Sequence, residues 1–110
     1  VNAANELCKQ SNRPTAIACM NDEMAIGAIQ AVRTQGLRVP EDISITGFDD
    51  ISYARYCDPP LTTISQPAED MGTIAVDMLL RMINGEVLRD TQQVLPYDFV
   101  VRKSTGPVGD

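Results

Sequence analysis

The order of patterns along this chain predicts an α/β fold with a parallel sheet. Short apolar runs without polar alternation take turns with helix-period segments, and glycine or proline marks most junctions. At 110 residues and 44% hydrophobic composition the chain suffices for one domain with a modest core.

Residues 1–11 place Ala4, Leu7 and Cys8 at i, i+3 and i+4, a short helix closed by Asn12, Arg13 and Pro14. Residues 15–20 form a brief apolar run, as expected of a strand buried on both faces. From Asp22 to Gln35, the stripe Ala25, Ala28, Ile29 and Val32 defines a second helix. Asp22 is placed to cap its start and Gly36 to end it. A loop at 37–42 leads to a β-branched strand at 43–48, then to a short helical turn within 49–56. Asp58, Pro59 and Pro60 interrupt the chain before a third strand at 61–65. Pro67 opens a long helix that Gly85 stops after Asn84. Its polar stripe (Asp70, Thr73, Asp77, Arg81, Asn84) is narrow and its apolar face wide, so it is expected to bury most of its circumference. Beyond a polar connector at 86–92, residues 94–95 and 97–101 read as strands and 102–110 as a loose tail.

Charge and composition exclude several functions. Fifteen acidic against nine basic residues leave a net charge of −6, the wrong sign for displacing counterions from nucleic-acid phosphates. Without histidine there is no Ser-His or Cys-His nucleophile pair and no imidazole metal ligand. Cys8, Cys19 and Cys57 lack C-x-x-C spacing and read as buried, reduced thiols in a cytoplasmic protein. No membrane-spanning run and no export signal at the first residues are expected, nor any cofactor. Met71, Met78 and Met82 share one stripe with aliphatic residues and read as core rather than metal ligands.

Three features stand at the carboxyl ends of expected parallel strands, where open α/β sheets place ligands: Asn21-Asp22, Gly47-Phe48-Asp49-Asp50 and Ser65-Gln66-Pro67. Asparagine both donates and accepts and an ionised aspartate accepts from two hydroxyls, so Asn21 and Asp49 suit a polyhydroxylated ligand such as a sugar or nucleoside. Each residue also has a plain reading. Asp22 serves as a helix cap, Asp49 and Asp50 as turn caps, Gly47 as a glycine at a close approach, and Gln66 as the residue before a helix. Ile26 lies off the apolar stripe of its helix and is either an interface contact or an isolated exposed residue.

Three ordered segments carry a resemblance across residues 14–85. They are Asn21-Asp22-Glu23-Met24-Ala25-Ile26-Gly27-Ala28, the run from Gly36 to Asp50 ending in Gly47-Phe48-Asp49-Asp50, and Pro59-Pro60-Leu61-Thr62-Thr63-Ile64-Ser65-Gln66-Pro67 with Met71-Gly72. In these the chain resembles the LacI/GalR family of transcription regulators, and Val100 to Thr105 looks like that family's C-terminal strand. Cys57-Asp58-Pro59-Pro60 looks like the cytidine-repressor branch.

The resemblance implies the C-terminal portion of a two-lobed, periplasmic-binding-protein-like core that acts by allostery. Residues 1–66 would be the C-terminal lobe, 67–95 a segment returning to the N-terminal lobe, and 96–110 the final strand and tail. Asn21, Phe48, Asp49 and Gln66 would contact the effector; Ile26, Tyr53, Tyr56 and Cys57 would form part of a homodimer surface. DNA would be reached only through a helix-turn-helix domain outside these residues, and no catalytic or metal-binding residue is implied. Two other readings are a sugar-binding protein of a transporter, with the same fold, and a phosphoryl-transfer enzyme using Asp49 and Asp50 to hold Mg²⁺. With the partner lobe missing, the wide apolar face of the long helix would favour self-association.

Overall fold

The computed structural model describes residues 1–109. Its elements follow the expected alternation: α1 (Asn2–Cys8), β1 (Ala16–Ala18), α2 (Asp22–Thr34), β2 (Ser44–Thr46), a 3-10 turn (Ser52–Arg55), β3 (Thr63–Ser65), α3 (Ala68–Ile83) and β4 (Asp98–Val100). Two compact units emerge, one comprising Val1–Ser65 with the chain from Phe99 onward, the other Gln66–Asp98.

In the first unit, β1 and β2 are parallel, with Ala16, Ile17 and Ala18 opposite Ser44, Ile45 and Thr46. Parallel bridges from Thr46 to Thr62 and from Asp49 to Ser65 carry the sheet on to β3, which pairs with β4. The stripe Ala25, Ala28, Ile29 and Val32 packs with Ile43, Ile45, Leu61, Ala54 and Cys57 into one core. Each large aliphatic side chain removed from water there contributes about 1.5–3 kcal/mol. The turn after α2 uses Gly36 at φ +76°, a backbone conformation that glycine adopts without steric cost.

Several expectations are corrected. The cap of α2 is Asn21, whose Oδ1 accepts the Met24 N–H at 2.8 Å, while Asp22 is fully buried and bonds elsewhere. β1 is not buried on both faces: Ala16 and Ala18 are exposed, and among the described residues the strand pairs with β2 alone. Residues 94–95 form no strand, because strand propensity without a neighbouring strand yields no ladder.

Of the expected loose tail, residues 102–106 are bonded into the first unit, and Asp110 lies outside the described residues. Ser104 is fully buried; its hydroxyl donates to the Ile45 carbonyl at 2.6 Å and accepts the Thr62 N–H at 2.8 Å, while its carbonyl accepts the Ile45 N–H at 2.8 Å. Ser104 therefore completes the edge of β2 below the point where Thr62 takes over, since the Gly47 N–H donates to the Thr62 carbonyl at 3.0 Å.

In the second unit, Pro67 precedes α3 as its cap and Gly85 ends it at φ +85°. No residue of α3 is buried, although the sequence called for burial of most of its circumference: Val76, Leu79, Leu80, Met82 and Ile83 are all exposed. The expectation of Met71, Met78 and Met82 as core fails for the same reason: Met71 and Met82 are exposed and Met78 is half-buried. Met71, Ile74, Ala75, Met78 and Leu95 line a hollow of about 200 Å³ beside the connector.

Candidate functional site

The carboxyl ends of β1 and β2 lie side by side. The Cys19 N–H donates to the Thr46 carbonyl at 2.9 Å and the Asp22 N–H to the Phe48 carbonyl at 3.0 Å, so Asn21 and Phe48 occupy adjacent strand exits. The chain then turns through two consecutive non-glycine residues at positive φ, Asp49 at 115° and Asp50 at 55°. Such conformations cost energy and persist only where the surroundings enforce them, commonly at functional sites.

The enforcement is visible on every side. The Asp49 N–H donates to the Ile64 carbonyl at 2.9 Å, tying the turn to β3. The Asp50 carboxylate meets the Arg102 guanidinium at 2.7 Å, with both side chains largely buried. Arg102 also donates to the Leu61 carbonyl at 2.9 Å, and its own N–H to the Thr62 hydroxyl at 2.9 Å. Asp22 takes the Ile51 N–H at 2.8 Å on Oδ2 and the Thr63 hydroxyl at 2.5 Å on Oδ1. Because Asp50 is committed to Arg102, Asp49 and Asp50 do not form a pair of carboxylates facing one cation, and the Mg²⁺ reading loses its ligand set.

The expected ligand residues are thus placed as follows. Asn21 is half-buried with its Oδ1 engaged in capping. Phe48 and Asp49 are exposed at the strand exit. Gln66 is half-buried, directly follows Ser65 (the bridge partner of Asp49), and opens the second unit. Of the two residues that hold the turn, Asp22 was named at its strand exit only as a helix cap, and Arg102 was not singled out. Asp22 looked like a cap, and Arg102 lies 52 residues from Asp50 with no local signal between them.

On α2 a second feature forms. Ile26, Ile29, Gln30, Arg33, Thr34, Tyr53, Cys57 and Asp58 line an open groove of about 600 Å³, and an Arg33–Asp58 ion pair at 2.9 Å lies along it. Ile26, Tyr53 and Cys57 of the expected dimer surface meet there; Tyr56 is exposed and does not line it. Burial pushes the Cys57 thiol upward, toward the protonated form; Cys8, Cys19 and Cys57 are all unbridged, but only Cys57 is buried as expected, Cys8 and Cys19 packing at the margin of the core and half-buried.

A constrained polar turn at the carboxyl ends of parallel strands stands where open α/β sheets bind small ligands. The family described as periplasmic binding protein-like domain matches residues 1–105. The ribose operon repressor of Haemophilus influenzae is 48% identical over 98 residues, 89% of this chain and 30% of that protein. The repressor CytR of Escherichia coli is 41% identical over 103 residues, 94% of this chain and 30% of that protein. The dimeric Lac repressor with an 11-residue C-terminal deletion superposes with a TM-score of 0.87 at 37% identity, covering 99% of this chain and 39% of that one. The chain belongs to the periplasmic binding protein-like family, and these relatives are LacI-type repressors. It spans about 30% of the length of the curated relatives it matches.

Proposed function

We propose that this chain is the effector-binding and dimerisation portion of a LacI/GalR-type transcription regulator. Residues 1–66 are read as the C-terminal lobe, 67–95 as a segment belonging with the N-terminal lobe, and 96–110 as the final strand and its extension. The observation that carries the reading is the Asp49-Asp50 turn: two strained residues held by three separate segments at the exits of parallel strands. Asp49 accepts ligand hydroxyls, Asn21 presents its amide N–H groups, Phe48 offers an apolar face, and Gln66 senses the chain crossing. The ligand class is a sugar or nucleoside.

The chain performs no covalent chemistry in this reading. Effector binding shifts a balance between lobe arrangements and so biases a DNA-binding domain elsewhere in the protein. Its place of action is the cytoplasm, in keeping with relatives that are repressors, which do not favour the transport reading. Among the described residues no helix is long and apolar enough to cross a membrane. The groove around Ile26, Tyr53 and Cys57 is read as the homodimer surface, with Tyr56 at its margin.

A thermal-shift panel of sugars, purines and nucleosides tests the effector assignment, with Asp49→Ala as control. A compound at a hundred times its Kd adds about 2.7 kcal/mol. A dose-dependent rise absent in Asp49→Ala is expected; a rise that persists in the variant removes Asp49 from the site. Sedimentation velocity of Ile26→Glu and Tyr53→Glu tests the dimer surface, and an association state unchanged from the parent chain would rule it out.

A further inference from the structure

Asp22 touches the backbone on both sides of the strained pair. Its N–H donates to the Phe48 carbonyl, immediately before Asp49, at 3.0 Å. Its carboxylate accepts the Ile51 N–H, immediately after Asp50, at 2.8 Å. The other carboxylate oxygen is held by the Thr63 hydroxyl at 2.5 Å, and the whole residue is inaccessible to solvent. Gly47 makes room for this: a Cβ there would overlap Asp22 Oδ1 and lie 2.9 Å from Leu61 Cδ2. One buried residue thus brackets two residues whose backbone conformations are unfavourable by themselves.

We propose that Asp22 is the positioning residue of the effector site: clamped by Thr63, it fixes the Asp49-Asp50 turn from both ends and so presents Asp49 to ligand. This rests on the assignment of Asp49 to the effector site, and Asp22 itself touches no ligand. A carboxylate suits the task because it accepts from the amide and the hydroxyl at once. An asparagine in its place still accepts the Ile51 N–H through its carbonyl oxygen, and its amide N–H turns toward the Thr63 hydroxyl, which can accept instead of donate. An alanine leaves both donors in a buried site without a partner.

Amide hydrogen exchange by NMR on the 110-residue chain decides the clamp without any ligand. In Asp22→Ala, exchange at Ile51 is expected to rise at least about tenfold relative to Ile45, whose N–H partner Ser104 is untouched. Asp22→Asn is expected to keep Ile51 protected. Where Asp22→Ala fails to fold, Thr63→Val, which keeps the side-chain shape but removes the hydroxyl, is expected to show the same selective loss, and Thr63→Ser to restore protection. Unchanged Ile51 exchange in the folded alanine or valine variant, or equal loss in Asp22→Asn, overturns the proposal.

Calorimetric titration with D-ribose and with cytidine then links the clamp to binding. If either binds the parent chain in an Asp49-dependent way, Asp22→Ala or Thr63→Val is expected to weaken it about tenfold, with Asp22→Asn close to the parent. Selective loss of Ile51 protection with affinity unchanged overturns the presenting role. Binding that is insensitive to Asp49→Ala sinks the effector assignment instead, while the exchange data still decide whether Asp22 holds the turn.

Discussion

Gly47→Ala places a single methyl group where the structure has no room for it. The added Cβ would overlap Asp22 Oδ1, approach Leu61 Cδ2 at 2.9 Å and lie 3.1 Å from Asp22 Cα. Leu61 is completely buried and Asp22 is held by two hydrogen bonds, so neither can swing aside into solvent. Overpacking of this kind costs about 1–3 kcal/mol. Displacing the Asp22 carboxylate forfeits hydrogen bonds to a charged group, about 1.5–3 kcal/mol each in general. Loss of one such bond puts the total near 3–5 kcal/mol, against an overall stability of about 5–15 kcal/mol for a domain.

At about 4 °C per kcal/mol for a chain of this size, the thermal midpoint is expected to fall by roughly 12–20 °C. Thermal unfolding followed by circular dichroism measures the midpoint, and urea unfolding the free-energy change. Gly72→Ala is the internal contrast: nothing lies within 4 Å of its Cβ position, it sits inside α3, and alanine there is expected to stabilise by about 0.5–1 kcal/mol. A double-mutant cycle with Asp22→Ala is expected to be strongly non-additive, because the first substitution removes the atom that the new methyl meets. A Gly47→Ala cost below about 1 kcal/mol, or simple additivity in the cycle, would refute the steric argument.

Other consequences are equally direct. Ser104→Ala leaves the buried Thr62 N–H without its hydroxyl partner and is expected to cost about 2 kcal/mol in the same urea assay; an unchanged midpoint would return residues beyond β4 to the status of a tail. Arg102→Met strips Asp50 of its partner in a largely buried pair and is expected to cost roughly 3 kcal/mol; adding Asp50→Asn should recover part of it, and no recovery would mean that Arg102 acts through Leu61 and Thr62 alone. The side-chain hydrogen bond from Arg38 holds the Asp42 carboxyl below the ordinary aspartate range. A carboxyl depressed on folding contributes stability above its unfolded pKa and loses it as pH falls through the lower folded value. NMR titration should therefore place the Asp42 midpoint below that of an unfolded control, and Arg38→Gln should raise it.

Much of the architecture was legible because it is local. Apolar spacing at 3.6 residues marks α2, Gly36 and Gly85 mark turns where positive φ is needed, and β-branched runs mark β2 and β3. The pairing of the Asn21-Asp22 and Gly47-Phe48-Asp49 strand exits follows from strand order in a parallel sheet, and the ordered motifs carried the family. Where the sequence misled, the answer lay in contacts between distant segments. Asp22 and Asn21 are both good caps by residue type, and the choice between them fell to Thr63, 41 residues away, and to the gap at Gly47. The polar run 102–106 looked like a tail because nothing local says that Ser104 completes β2 or that Arg102 neutralises Asp50. Residue type and spacing determined most of the elements and their order, and the resemblance carried by three ordered motifs pointed to the family. Burial, cap choice and the two anchors of the Asp49-Asp50 turn were decided only by tertiary structure, because a polar group is stabilised in a core by whichever partner the fold brings to it.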